Sequence, residues 1–440
     1  MIDCGLFQER QFAHRNWEPC PVAASQIKAL LLTHVHIDHS GLIPKFVREG
    51  YRGKVYATHA TVDLAEIVLR DSAQIHEEDA KYKKRRHQRE GRQGKHPEIP
   101  LYTVADADRS LQAFRGLDYG QRLEIAEGLQ VVFHDAGHVL GSAILEIIAT
   151  ENQKQRRILF SGDLGQSGKP LIRDPTDFDQ ADYVVIESTY GDRDHDQSGD
   201  VKSQLKEIIN STVQRGGNVV IPTFAVERAQ EVMYHISQLV YEDQIPDIPI
   251  YLDSPMAVDV TEVFRRHRDD LDEETWKLIA SDEPPLQFPG LQLVQSVEDS
   301  RKINLVQKPC IIMSPAGMCT AGRIKHHLRL NLSRPECTVV FVGYQAHGTL
   351  GRQISDGHQE VRLHGAMRKV RARITQIQGL SAHADRQGLL RWIGHLKQPP
   401  RRVFVTHGEP AAATRLAQDI QQTLKFPTTI PAYGDTAELA

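Results

Sequence analysis

The sequence is short of cysteine, of long apolar runs and of any large excess of one charge, and each shortage removes a class of protein. Its five cysteines, Cys4, Cys20, Cys310, Cys319 and Cys337, are odd in number, scattered over 440 residues and form no Cys-x-x-Cys pair. That pattern gives no disulfide framework and reads as reduced thiols in a cytoplasmic protein. No apolar run approaches the roughly 20 residues that span a membrane, and no basic-then-apolar leader opens the chain. A formal net charge of −4 excludes nucleic-acid recognition by overall charge, so any phosphate has to meet a local basic surface or a metal. What these absences leave is a soluble globular chain, long enough for two or three domains and with no membrane partner.

Histidine, by contrast, is concentrated. The run Thr33-His34-Val35-His36-Ile37-Asp38-His39-Ser40 places three imidazoles and a carboxylate within six residues. It follows the apolar run Ala29-Leu30-Leu31-Leu32, which predicts a buried strand, and precedes Gly41-Leu42-Ile43-Pro44, which predicts a helix start. A strand, a turn and a helix hold these side chains in a small volume, and they are the ligand types that zinc prefers.

Short β-branched runs alternate with helical patterns along the chain, the signature of an α/β protein. Strands are expected over 129–133, 144–148, 157–160, 183–186, 219–221, 250–252, 311–313, 339–342, 373–377 and 403–405, and helices over 61–76, 225–239, 257–268 and 389–396. The segment 81–95 carries eight Lys and Arg residues and little that is apolar. It reads as a solvated helix end and loop, or alternatively as a contact for a phosphate backbone. A polar break at 195–200 separates a block with its own strand–helix alternation, giving three divisions: 1–195, an inserted domain over 196–370, and 371–440. An inserted domain leaves a cleft at the junction, a common place for an active site.

Further polar residues end apolar runs, where α/β sheets place ligand sites. They are His138 in Asp135-Ala136-Gly137-His138, Asp163 in Phe160-Ser161-Gly162-Asp163 and Glu187 after Tyr183-Val184-Val185-Ile186. Two more lie in Ser381-Ala382-His383-Ala384-Asp385 and Thr406-His407-Gly408-Glu409. Taken singly, each also fits a core histidine or a helix cap; together with the His-x-His-x-Asp-His run they point to a metal centre.

At this point the sequence resembles the metallo-β-lactamase superfamily, in its β-CASP branch of ribonucleases. The branch-specific matches are Glu187 in Glu-Ser-Thr-Tyr-Gly, His383 in Ser-Ala-His-Ala-Asp and His407 in Thr-His-Gly-Glu. The inserted block matches at 221–231 and at Ser314-Pro315-Ala316-Gly317-Met318. The resemblance implies an αββα sandwich with an inserted α/β domain. It also implies two zinc ions, one held by His34, His36 and His138 and one by Asp38, His39 and His407, with Asp163 bridging. Asp38, Glu187 and His383 are the implied catalytic residues, Glu187 orienting His383 as proton donor to the leaving group. Asp3, in Asp3-Cys4-Gly5, is the implied partner that orients a ligand histidine. Arg228, Arg323, Arg352 and the possible stacking face Tyr344 are candidate RNA contacts.

The implied activity is hydrolysis of single-stranded RNA, endonucleolytically, to 5′-phosphate and 3′-hydroxyl products by a two-metal hydroxide mechanism. A homodimer is common in such families. DNA as substrate, a small-molecule metallo-hydrolase and a non-catalytic RNA-binding paralogue are the alternatives. Family members usually carry about two strands before Asp-Cys-Gly, whereas this sequence opens Met1-Ile2-Asp3. The expectation is therefore that N-terminal strands are missing through a start assigned too late, leaving a sheet edge uncovered.

Overall fold

The computed structural model describes residues 1–9, 11–92, 98–195 and 200–439. These form two compact units: the first comprises Met1–Ser167, Asp174–Arg193 and His383–Ala440, the second Gly168–Arg173 and Asp194–Ala382. No described helix is long and apolar enough to cross a membrane.

The first unit is built on two sheets. Ala29–Leu31, Lys54–Thr58 and Phe114–Leu117 form a parallel three-stranded sheet, with Ile2 bridging to Leu31 at its edge. The second sheet has seven strands, in the order Thr428–Thr429, Arg402–Val405, Tyr183–Ile186, Lys154–Phe160, Ala143–Glu151, Leu129–Asp135 and Arg122–Ala126. Its last four strands pair antiparallel, the others parallel. Side chains alternate across a strand, which sorts this sheet into two cores. Leu145 and Ile147 pack with Leu31, Leu117, Val131 and Phe133 between the sheets. Ile144 turns to the other face, where Leu159, Val184, Ile186, Val403 and Val405 meet Leu389, Trp392, Leu416 and Ala417 of helices Arg386–Gly394 and Pro410–Asp419.

The outer layer on the three-stranded side includes helix His59–Glu90, which buries Leu64, Ala65, Val68 and Leu69. Thr58 caps it by accepting a hydrogen bond from the backbone N–H of Thr61, and Gly91 ends it in the left-handed conformation at φ 63°, a common stop for a helix. Helix, sheet, sheet and helix make the expected αββα sandwich.

The second unit holds a parallel six-stranded sheet in the order Leu291–Val294, Ile250–Asp253, Ile311–Ser314, Val219–Pro222, Thr338–Phe341, Arg373–Gln376. Its four inner strands are buried at every residue, as a sheet covered by helices on both faces requires. Arg373–Gln376 pairs with Thr338–Phe341, so this compact unit runs on to Ala382, twelve residues past the expected division at 370. Of the expected break at 195–200, residues 196–199 lie outside the described residues, as do 93–97 of the basic segment.

Candidate metal centre

Every metal-ligand candidate lies in the first unit, in the segment that follows a strand. After Ala29–Leu31 the chain passes through Thr33 and His34 into a short helix, Ile37–Ser40, with His36 at its N-cap and Asp38 and His39 inside it. The Asp3-Cys4-Gly5 turn lies directly against this helix: Cys4 donates its N–H to the His39 carbonyl at 2.7 Å. A Cβ on Gly5 would stand 1.5 Å from the Asp38 carbonyl oxygen, so only glycine allows the approach.

Asp3 adopts φ 53° and accepts hydrogen bonds from the Thr33 N–H (2.8 Å) and hydroxyl (2.9 Å). Its Oδ2 stands 2.7 Å from His39 Nδ1. That contact leaves His39 Nε2 free to face the centre, the arrangement expected of a carboxylate behind a ligand histidine.

The loop after Leu129–Asp135 delivers His138, whose backbone N–H donates to Ser142 Oγ at 3.1 Å. The hydroxyls of Thr58 and Thr61, at the head of helix His59–Glu90, both donate to the Gly141 carbonyl of the same loop (2.6 and 2.8 Å). Asp163 follows Lys154–Phe160, and two residues on, Gly165 touches the His138 loop: a Cβ there would stand 1.5 Å from the Gly137 carbonyl oxygen. His383 bridges to Gly165 in antiparallel fashion. His407, at φ 50°, follows Arg402–Val405.

The ligand atoms gather in three groups, each within 4.8 Å, the first and last sharing Asp163: His34, His36, His138 and Asp163; Asp38, His39 and His407; Asp163, Glu187 and His383. His36 Nδ1 lies 3.0 Å from His34 Nε2 and 3.2 Å from His138 Nε2. Asp163 Oδ2 faces His34 and His138 at 3.5 and 3.6 Å, while Oδ1 faces His39 and His407 at 3.3 and 3.2 Å. Asp163 is 2 % exposed, and its Oδ1 accepts no hydrogen bond. A buried carboxylate oxygen that accepts no hydrogen bond is costly, and a cation between these donors would remove that cost. The set of imidazoles and carboxylates fits a divalent metal.

The two sides of Asp163 differ electrostatically. Burial, reinforced at His34 by the neighbouring His39, pushes the pKa of His34 well below its usual value and also lowers that of His36. Burial opposes the charged form of His39 too, but the carboxylates of Asp163 and Asp3 outweigh it and hold that imidazole well above its usual range. For His407 burial is again outweighed, by Asp163 and by the hydrogen bond with Asp38, and its pKa rises to about 9. Asp163 is held well below the carboxylate range, the adverse effect of burial being overcome by His39, His407 and His34. Metal ligation requires neutral imidazoles; burial favours that form at His34 and His36, whereas the carboxylates beside His39 and His407 favour the charged form.

Glu187, 1 % exposed, accepts the Leu164 N–H through Oε1 at 2.7 Å and the Thr189 N–H through Oε2 at 3.1 Å. Oε1 also stands 3.1 Å from His383 Nδ1, and His383 Nε2 is 3.9 Å from Asp163 Oδ2. Burial works against a charge on His383, but the Glu187 carboxylate outweighs it and raises the pKa.

The candidate RNA contacts fare differently. Arg323 is committed to structure, which corrects its expected role. Its guanidinium pairs with Asp253 Oδ1 at 2.8 Å and donates to the Gln295 carbonyl at 2.6 Å. Arg228 is 8 % exposed and pairs with Glu231, so it too lacks the open face a phosphate needs. Arg352 meets Asp356 one helical turn on, at 2.8 Å. Tyr344 is 64 % exposed.

Two residues at the centre carry no role in the sequence reading. Thr33 bonds Asp3 and lies 3.1 Å from His34 Nδ1; its place immediately before His34 was the available signal. Tyr190, in Glu-Ser-Thr-Tyr-Gly, sets its ring 6.0 Å from that of His383.

Comparison with known proteins agrees with this geometry. Residues 1–167 match a metallo-β-lactamase superfamily domain, 229–354 a β-CASP domain, and 367–431 a Zn-dependent metallo-hydrolase RNA specificity domain. The chain is 38% identical over 409 residues to Ribonuclease TTHA0252 of Thermus thermophilus, covering 93% of this chain and 87% of that one. It is 31% identical over 451 residues to the transcription termination factor FttA of Methanosarcina mazei, covering 100% of this chain and 68% of that one. An RNase J-like protein of Methanocaldococcus jannaschii is 29% identical over 442 residues, covering 99% and 92%.

Proposed function

The chain belongs to the β-CASP branch of the metallo-β-lactamase superfamily, and from that premise we propose that it is a zinc-dependent endoribonuclease of single-stranded RNA. The observation that carries the reading is the position of Asp163. Its two carboxylate oxygens face two separate ligand groups, and His383 and Glu187 stand beside it. On this reading His34, His36 and His138 hold one zinc and Asp38, His39 and His407 a second, with Asp163 between them. Two bound metals supply a nucleophile at neutral pH and neutralise charge on the phosphoryl oxygens.

The protein's own part is to place these ligands and to manage one proton. Asp3 fixes the ring of His39 so that Nε2 faces inward. Glu187 holds His383 through Nδ1, which leaves Nε2 as the atom that gives a proton to the departing 3′-oxygen. The Glu187 carboxylate favours the protonated imidazole of His383, and a positioned general acid contributes about 10²–10⁴-fold. The products are a 5′-phosphate and a 3′-hydroxyl. The relatives named as ribonucleases and the match to an RNA specificity domain support RNA over DNA. A location with the transcripts, in the cytoplasm, goes with that substrate.

The test is cleavage of a 5′-labelled single-stranded RNA by zinc-loaded protein, beside the same sequence as DNA and with His383→Ala as control. Internal RNA products that disappear in the variant, while the variant keeps its metal, are the expected result. Intact RNA from folded, metal-loaded protein would remove the ribonuclease reading.

A further inference from the structure

The second half of helix His59–Glu90 has a charge pattern that the metal centre leaves without a use. Between Lys81 and Arg92 seven Lys and Arg residues stand against one carboxylate, Glu90. Residues four apart on a helix are neighbours, so Lys81, Arg85 and Arg89 form one row, with Lys84 beside it. The last buried side chain of the helix is Ala80; from Lys81 to Glu90 none is buried. Glu77 pairs with Lys81 at 3.6 Å, and Glu90 is shared by Arg86 (2.8 Å) and Arg92 (2.6 Å). Among the described residues Lys83, Lys84, Arg85 and Arg89 have no ion-pair partner, and all four are exposed. Like charges at this spacing work against the helix. A sequence that keeps such a conflict gains something elsewhere.

We propose that this face is a docking surface for the sugar-phosphate backbone of single-stranded RNA, with Lys84, Arg85 and Arg89 meeting phosphates. The proposal rests on the ribonuclease reading above and adds to it a second point of attachment for substrate. Charge complementarity calls for a polyanion, and the aromatic ring among the cations selects nucleic acid over an acidic polypeptide. Tyr82, 63 % exposed, offers the flat face on which an unpaired base stacks. The same helix is fastened to the metal centre at its other end, where Thr58 and Thr61 hold Gly141 in the His138 loop. Along the helix axis Arg85 lies roughly 36 Å beyond Thr61. A stacked strand rises about 3.4 Å per nucleotide, so an RNA needs roughly ten nucleotides to touch both. Short RNAs reach the centre without the surface, and long ones use both.

The experiment measures binding of fluorescein-labelled oligouridylates of 8 and 30 nucleotides to the metal-loaded protein. A His383→Ala background keeps the RNA whole. Lys84, Arg85 and Arg89 are replaced together by Gln and, separately, the two arginines by Lys. For the Gln variant the 30-nucleotide RNA binds about tenfold more weakly in 0.1 M salt. The slope of log K against log salt becomes shallower by about 2, since each phosphate contact on a single strand contributes roughly 0.7. The 8-nucleotide RNA is unaffected, and the Lys variant behaves as its parent.

Unchanged affinity and slope for the long RNA would overturn the proposal and leave the ribonuclease reading standing, since cleavage decides that separately. Equal weakening at both lengths, or no binding of either RNA by the parent, would overturn it as well. So would displacement of the RNA by polyglutamate at equal charge concentration, which would assign the face to an acidic polypeptide.

Discussion

Asp3 shows how much of the centre depends on residues that touch no substrate. One carboxylate accepts from the Thr33 backbone and hydroxyl and faces His39 Nδ1 at 2.7 Å. Removing a partner of this kind typically costs 10–100-fold in metal affinity or activity. For Asp3→Ala we expect a loss of that size in zinc affinity, read by competition with a chromogenic chelator, with the far-ultraviolet circular dichroism unchanged. Affinity equal to wild type would show that His39 needs no support.

The candidate ligands stood out because His34, His138, Asp163 and His407 each follow an apolar strand run, a pattern that lies within a few neighbouring positions. Arg323 was not, because a guanidinium that grips Asp253, seventy positions earlier, leaves no local trace. Its loop reads the same whether the partner is a phosphate or a carboxylate. Arg228 misled for a related reason. Its position at the start of Arg228–Tyr241 suggested a phosphate site, whereas Glu231 on the next turn takes its charge.

At the scale of elements, Asp253 ends the strand Ile250–Asp253 and ties three other segments to it. It is fully buried and accepts from Ser300 Oγ (2.6 Å) and Arg323 (2.8 Å), with His327 Nε2 at 2.6 Å. Burial alone would raise its pKa, but the hydrogen bonds from His327, Ser300 and Arg323 outweigh burial and lower it. A group with a depressed folded pKa stabilises the fold above its unfolded pKa of about 4, and that stability is lost as pH falls through the folded value. Asp253→Asn should therefore destabilise the second unit by about 3 kcal/mol at pH 7. The gap from wild type should narrow as denaturation is repeated below about pH 4. A constant gap across that range would show that the carboxylate's charge contributes nothing.

Elements with apolar periodicity were legible, and the helix seen over 61–76 is real. Its continuation to Glu90 was not, because from Lys81 onward it buries no side chain and so carries no apolar repeat. Phe114–Leu117 escaped notice for a different reason: four residues, one an exposed arginine and one a glycine, are too few to show an alternation.

For the whole molecule, the two units differ in how the chain builds them. The second is nearly continuous, from Asp194 to Ala382, while the first is assembled from three separated stretches. Residues beyond 382 supply twelve of the eighteen buried side chains in the core behind the seven-stranded sheet. We expect a fragment of residues 194–382 to melt cooperatively and one of residues 1–193 to show no such transition, both followed by circular dichroism. A cooperative transition in the 1–193 fragment would mean that the sandwich does not need its last strands and helices.

That division orders events during synthesis. His383 and His407 follow the second unit in the chain, so both leave the ribosome only after that unit has been made. An RNA-cutting enzyme assembled in this order cannot complete its proposed centre beside its own transcript until the second unit has been translated.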